Sequence, residues 1–198
     1  MKLSTLLLPL AAIAPAILAM SIDRDAAKSL QIRLNEPSNP AYDDSRIKHF
    51  HDKLLLARMK EYFLSFVEGN YTGMYDLQSE DFRITDIPLA IVRANRDEWF
   101  AANKGFSSLM TNVKVQAISI DGSSDPCKFG ILENVVSFTL AVDPPESAKP
   151  GLPPGIKKGE SAAMIMTSLI WWNEEGKVKR DLEYGKLTWP GFDITAFT

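Results

Sequence analysis

The stretch from Tyr62 to Pro88, YFLSFVEGNYTGMYDLQSEDFRITDIP, decides the fold that the sequence predicts. It indicates the end of an amphipathic helix, a polar break at Gly69-Asn70, a short second helix over 71–77, and a strand that stops at Asp86. The residues before it supply the rest of the first helix. The residues after it supply a sheet against which these elements can pack.

Apolar residues upstream recur at helical spacing from Ser45 onward and predict one long helix with a buried stripe. The stripe comprises Ile47, Phe50, Leu54, Leu55, Met59, Tyr62, Phe63, Phe66 and Val67. His49 and His51 lie near its predicted start. Side chains two positions apart on a helix point about 200° away from each other. We therefore expect no shared metal site and no catalytic pair there.

Downstream, Asn95 and Glu98 have the spacing of a capping box and predict a third helix, which carries Trp99 and ends near Met110. Four runs of β-rich composition follow, over 113–120, 130–142, 162–172 and 177–187. The Pro- and Gly-rich segment from Asp143 to Glu160 is long for a hairpin connection. It fits a lid over a pocket and a tolerated insertion equally well.

Composition bounds the class of protein. The 198 residues are 45% hydrophobic, which suits one domain with a core, and the net charge is −3. The basic residues form no stripe along the sequence, so nucleic acid is not an expected partner. Cys127 is the only cysteine, so no internal disulfide is available.

The first 19 residues predict a secretory signal peptide, with an early cation at Lys2, an apolar run over Leu6–Ile13 and small residues ending at Ala19. A polar N-terminal arm over 20–44 and a domain over 45–198 follow. We therefore expect a secreted protein with no membrane span once the signal is removed.

The sequon Asn70-Tyr71-Thr72 falls at the predicted helix break. A surface turn in a secreted protein is where an N-linked glycan is accepted, so Asn70 is a predicted glycosylation site.

The order helix, helix, strand, helix and four long strands resembles the nuclear transport factor 2-like superfamily, which includes SnoaL-like polyketide cyclases, ketosteroid isomerase and scytalone dehydratase. The resemblance covers about Ser45 to Thr188. It rests on the helix break Glu68-Gly69-Asn70, on Ser79-Glu80-Asp81-Phe82 at the start of the first strand, and on the turn Glu175-Gly176-Lys177-Val178. It implies a cone-shaped α+β fold, in which three N-terminal helices pack on a curved antiparallel sheet of four to six strands.

The same resemblance implies site residues. Likeness to ketosteroid isomerase places Tyr62 at the oxyanion-binding tyrosine and Asp86 at the general base. The second oxyanion donor falls on Ser168, whose hydroxyl can donate a hydrogen bond but is not a carboxylic acid. Likeness to SnoaL-like cyclases, in which an acid on a late strand does acid-base work, points to Asp181 or Glu183.

Strand alternation tests whether these residues could meet. Asp181 and Glu183 share one face of the last strand, and an inward face would give these carboxyls an apolar lining and a raised pKa. The alternative is a solvated outer face, with Leu182 and Tyr184 inward. Asp86 could equally cap a turn, and Tyr62 could be a core aromatic. The predicted substrate-binding wall comprises Met164, Met166, Ser168, Ile170, Trp172 and Trp99.

These features predict a secreted protein that binds a small apolar or polyketide-like molecule in its cone. It would act without a cofactor or metal, by proton transfer in an isomerisation, cyclisation or dehydration. The alternative is a non-catalytic ligand carrier or interaction module, which uses its sheet face and could form a homodimer through it.

Overall fold

The computed structural model describes residues 40–193. The helices are α1 (Lys53–Val67), α2 (Tyr71–Asp76) and α3 (Arg96–Leu109). The strands are β1 (Tyr42–Asp43), β2 (Gln78–Asp86), β3 (Ile91–Ala94), β4 (Met110–Gly122), β5 (Phe129–Leu140), β6 (Ser161–Trp172) and β7 (Val178–Leu187). The predicted signal peptide and most of the predicted arm lie outside these residues.

The strands form one seven-stranded sheet in the order β1-β4-β5-β6-β7-β2-β3. Its β1–β4 and β2–β7 pairs are parallel, and its other neighbours are antiparallel. The α+β class is as predicted, but the prediction of an antiparallel sheet of four to six strands was wrong. Two short strands were missed: β1 lies in the predicted arm, and β3 lies between the predicted end of the first strand at Asp86 and the predicted third helix. The third helix follows β3 and is not grouped with the first two.

The first helix begins at Lys53, not near Ser45 as the apolar pattern predicts. Asp52 caps it, because its Oδ1 accepts a hydrogen bond from the Leu55 amide at 2.9 Å and its Oδ2 accepts one from the Ser124 amide at 2.8 Å. Ile47 and Phe50 reach the core from irregular backbone before the cap. Both histidines also precede the helix, so the helical separation expected for them does not apply.

The other helix boundaries follow the predicted signals. Gly69 has φ +68°, which suits the turn after α1. Asn70 caps α2, with its Oδ1 accepting from the Gly73 amide at 3.0 Å. Asn95 and Glu98 form the predicted capping box at α3.

One face of the sheet carries the core. Leu55, Met59 and Tyr62 from α1 and Trp99 from α3 are buried against it. None of the helices within residues 40–193 is long and apolar enough to cross a membrane.

Gly185 lies where β7 passes very close to β6, and a Cβ there would overlap the backbone carbonyl oxygen of Ile165. We expect Gly185→Ala to lower the free energy of unfolding by about 2–4 kcal/mol, since backbone must move. Gly105→Ala is the matched control. Its Cβ would meet nothing within 4 Å on α3, so it is expected to stabilise by about 0.5–1 kcal/mol. Urea unfolding measures the change in the free energy of unfolding for both variants. Equal changes would contradict the two predictions.

Candidate functional site

Three buried carboxyl groups meet where β2 pairs with β7. The parallel register sets Asp86 beside Glu183 and Ile84 beside Asp181. Asp86 and Asp181 are 1% exposed and Glu183 is 5% exposed, whereas Tyr184 on the other face is 50% exposed. The side chains of Asp181 and Glu183 on β7 therefore face inward and not toward solvent.

A small cavity lies between this pair of strands and the helices. Its volume is about 30 Å³, close to the share of one water molecule in liquid water. Tyr62, Asp86 and Glu183 form its polar part. The apolar wall consists of Phe63, Phe66, Met74, Leu89, Trp99, Val136, Met164 and Met166.

A chain of hydrogen bonds holds Glu183 in place. Asn134 Nδ2 donates to Ser168 Oγ at 3.1 Å, and Ser168 Oγ donates to Glu183 Oε1 at 3.2 Å. Glu183 in turn donates to Asp86. Asp86 Oδ1 also accepts from the Leu89 amide at 2.8 Å. Asp86 therefore both caps the turn after β2 and lines the cavity.

This chain assigns different protonation states to the two neighbouring carboxyls. Burial raises the pKa of Glu183 well above its usual value, and the nearby charges of Asp181 and Asp86 raise it further. Burial also raises the pKa of Asp86, but the hydrogen bonds from Glu183 and the Leu89 amide oppose that shift. The pair therefore keeps its proton on Glu183, and Asp86 is the group that ionises first.

A second chain lies behind Tyr62. Gln78 Nε2 donates to Tyr62 Oη at 3.2 Å, and Tyr62 Oη donates to Asp181 Oδ2 at 3.1 Å. Burial raises the pKa of Asp181 to about 8. Its Oδ1 is buried with no hydrogen-bond partner among the described residues, which disfavours the ionised form. Burial likewise raises the pKa of Tyr62 well above its usual value.

The cavity brings together only some of the predicted site residues. Tyr62, Asp86, Glu183, Met164, Met166 and Trp99 lie on its wall. Asp181 and Ser168 do not line it. Each contacts a residue that does, Asp181 through Tyr62 and Ser168 through Glu183. Ile170 and Trp172 belong to the buried core away from this wall.

Sequence reasoning missed the residues that support the site. Asn134 and Gln78 position Ser168 and Tyr62, and both are buried polar side chains on strands. A polar residue amid an apolar run was the available signal for Asn134, whereas Gln78 lies in a polar stretch that gives no such signal. Phe66 was assigned only to the helix stripe, and Leu89 was not assigned to the site.

Neutral groups, not cations, surround the three carboxyls. Among residues 40–193, no Lys, Arg or His makes a salt bridge to Asp86, Asp181 or Glu183. In the same part of the chain, no group of three or more His, Cys, Asp and Glu side chains is placed to hold a metal ion. The acids are thus stabilised by neutral hydrogen-bond partners and by retained protons, not by ion pairing.

The Asp143–Glu160 segment packs beside the cavity wall but contributes no residue to the cavity lining. Its Leu152 and Ile156 are buried in the core cluster. A Cβ built on Gly151 would lie 3.8 Å from a methyl carbon of Leu89, which is on the cavity wall. This contact places the segment next to the cavity wall, and its role as a lid stays a prediction.

We expect Leu152→Ala to loosen this lid and the turn that Asp86 caps. The truncation should lower stability by about 2–4 kcal/mol, and the Leu89 amide should exchange with deuterium faster. The control is Lys157→Ala, an exposed position in the same segment. Hydrogen–deuterium exchange followed by mass spectrometry of the peptide over 87–94 checks this. Unchanged exchange in that peptide would show that the segment does not stabilise the cavity wall.

Comparisons with known proteins bear on the fold. No family model and no curated protein matches the sequence. Three of the similar solved structures are a protein of Catenulispora acidiphila in complex with trimethylamine, the proposed hydroxylase AclR of Streptomyces galilaeus, and a proposed polyketide cyclase of Silicibacter sp. tm1040. Their identities to this chain are 14%, 12% and 17%, and their TM-scores are 0.50, 0.54 and 0.51.

The matches cover 65%, 69% and 70% of this chain and 85%, 91% and 93% of the three structures. The first of them is described as having a ketosteroid isomerase-like fold. Likeness at this level of identity concerns the backbone arrangement alone. The protein therefore has a ketosteroid isomerase-like fold.

Proposed function

We propose that the protein is a cofactor-independent enzyme that moves a proton next to the carbonyl group of a small molecule, in an isomerisation, cyclisation or dehydration. The observation that carries this is the Asp86–Glu183 pair, two uncompensated carboxyls side by side on the wall of an apolar cavity. Their different environments supply one base and one acid within a single site.

Each polar residue has a role in this proposal. Asp86 is the base, and Glu183 holds or returns the proton. Tyr62 binds the substrate oxygen, and Asp181 acts through it: a protonated Asp181 can donate to Tyr62 Oη, which frees the phenol proton for the substrate. Ser168 and Asn134 are positioning residues for Glu183.

The cavity volume limits the substrate. At about 30 Å³ it is too small for a drug-sized molecule, which needs several hundred Å³. A substrate must displace Phe66, Leu89 or the lid, so a compact molecule is favoured over a large polyketide.

Exchange of α-protons tests the proposal with simple ketones as probes. Acetone, cyclopentanone and cyclohex-2-enone are incubated in D₂O with the protein, and loss of the α-proton signals is followed by NMR. Exchange faster than in buffer alone is the expected result for at least one compound. Exchange at the buffer rate for all three contradicts the proposal.

A second candidate is a carrier of a small methylated ammonium ion. Four aromatic rings, those of Tyr62, Phe63, Phe66 and Trp99, surround the cavity that Asp86 and Glu183 reach. Aromatic faces with nearby carboxylates attract such cations. The similar structure from Catenulispora acidiphila was solved in complex with trimethylamine. Calorimetric titration with trimethylammonium chloride would show binding that tightens as pH rises, because the cation favours the ionised acids.

Secretion and the glycan remain proposals as well. Asn70 is exposed at the start of α2, where its Oδ1 accepts from the Gly73 amide. After expression in a eukaryotic secretory host, the protein should be found in the culture medium. It should lose mass on treatment with peptide N-glycosidase F. Asn70→Gln should abolish that shift, and a persistent shift would contradict the assignment. A homodimer through the sheet face stays a prediction that analytical ultracentrifugation can check.

A further inference from the structure

A row of four side chains crosses the outer face of the sheet, opposite the cavity. Phe129 on β5 is the register partner of Trp171 on β6, Trp171 is the partner of Arg180 on β7, and Arg180 is the partner of Arg83 on β2. The Phe129 and Trp171 rings are 5.5 Å apart, and Arg180 Cζ lies 4.5 Å from the Trp171 ring. Two aromatics and two cations thus stand side by side.

A groove of about 500 Å³ lies at the cationic end of this row. Arg93 on β3 and Lys179 also line it, so that four cations face two carboxyl groups, the exposed one of Asp81 and the buried one of Asp181. Asp81 pairs with Lys179 at 3.3 Å. Within residues 40–193 no carboxylate lies within salt-bridge distance of the three arginines. The groove is therefore positive, although the whole chain has a net charge of −3.

The two central arginines are held close to each other without a counter-charge from the described residues. Arg83 and Arg180 occupy the same register on neighbouring strands, which lie about 4.8 Å apart. Like charges placed directly across a sheet destabilise it, and a bound anion would remove that repulsion. Arg83 is fixed by a hydrogen bond from its Nη1 to the Phe82 carbonyl at 2.6 Å. Arg180 is stacked on Trp171, which leaves its in-plane N–H groups free to bind an anion.

We propose that this groove is a binding site for a phosphate or sulfate ester whose organic part is a ring. Two neighbouring guanidinium groups can each direct a pair of N–H donors at one tetrahedral oxyanion. Arg93 and Lys179 add charge at the sides, and the exposed edges of Trp171 and Phe129 give the ring an apolar surface next to the anion. No residue that lines the groove also lines the cavity, so ester binding does not require the proposed catalytic function, although Asp181 lines the groove and contacts Tyr62 behind the cavity.

Isothermal titration calorimetry at low ionic strength tests the site. The probes are p-nitrophenyl phosphate, p-nitrophenyl sulfate, inorganic phosphate and the neutral p-nitrobenzyl alcohol. The variants are Arg83→Gln and Arg180→Gln. The matched control is Lys186→Gln, which removes an exposed cation on the same face of β7, about 20 Å away at roughly 3.3 Å per residue.

We expect one-to-one binding of at least one ester, tighter than that of inorganic phosphate, and no binding of the neutral alcohol. Each arginine variant should weaken it by roughly tenfold or more, while the lysine variant leaves it unchanged. Added salt should weaken it too. The ester that binds more tightly identifies phosphate or sulfate as the group selected.

Three outcomes would overturn the proposal. The first is an absence of ester binding by the wild-type protein. The second is an equal loss in the Lys186 variant, which would indicate diffuse attraction. The third is self-association that the arginine variants abolish, which would assign the groove to a second copy of the chain. Circular dichroism and thermal melting of the variants exclude misfolding, since removing one of two repelling charges should leave stability unchanged or slightly higher.

Discussion

The protein is expected to lose stability as pH rises from about 4 to about 8, and Asp181→Asn is expected to remove the part of that loss that Asp181 causes. The pKa of Asp181 rises from 3.8 for an exposed aspartate to about 8 in the folded protein, chiefly through burial. Between these values the folded chain binds more protons than the unfolded chain. The free energy of unfolding therefore falls with pH by up to about 1.4 kcal/mol per pH unit for each such group.

Glu183 and Asp86 act in the same direction, because burial raises both pKa values. Asp43 and Asp52 act oppositely, since their pKa values are lowered, and they reduce stability only as pH falls below about 4. Asp181→Asn keeps the shape and an acceptor for Tyr62 while removing the charge. At pH 8 it should raise the free energy of unfolding by roughly 3–5 kcal/mol.

Urea unfolding between pH 4.5 and 8.5 measures this effect. Asp125→Asn, at an exposed carboxylate, is the control and should leave the wild-type slope intact. A wild-type stability that rises over this interval, or an Asp181 variant with the wild-type slope, would show that the acid is not buried as described.

The second large effect is on proton transfer. Asp86→Asn is expected to slow α-proton exchange by a hundredfold or more, because an amide cannot accept the proton. The fold should survive, since the amide oxygen can still accept from the Leu89 amide. Wild-type exchange should accelerate with pH until Asp86 is fully ionised, at a pKa above that of an ordinary aspartate.

Glu183→Gln distinguishes the partners within the pair. It keeps a donor for Asp86 but cannot return a proton, so exchange should slow while the pH dependence assigned to Asp86 persists. Asp125→Asn again serves as the control with wild-type exchange. If Asp86→Asn retains turnover, Asp86 only caps its turn, and the carrier of a methylated ammonium ion becomes the better assignment.

Local signals in the sequence predicted a good deal of this arrangement. The helix break at 69–70, the capping pair at 95 and 98 and the four long strands could be read because each depends on neighbours in the chain. Alternation likewise placed Asp181 and Glu183 on a common face. Whether that face was inward depended on packing partners, so alternation alone left it open.

Long-range pairing is what the sequence could not supply. The parallel contact of β2 with β7 joins strands from opposite ends of the domain, and no turn chemistry encodes it. That contact decides that Asp86 meets Glu183. It also brings Arg83 beside Arg180, so a basic groove arises from residues that form no basic stripe along the chain.

The pairing of β2 with β7 also has a consequence for folding kinetics. Tyr62 and Asp181, which the same junction brings together, are 119 residues apart in the chain. The β4–β5, β5–β6 and β6–β7 pairs are each antiparallel neighbours in sequence, so they can form early, whereas closure of this long loop costs entropy before it gains contacts. The site should therefore assemble in the last and slowest step of refolding, and its carboxyls take up their protons only then.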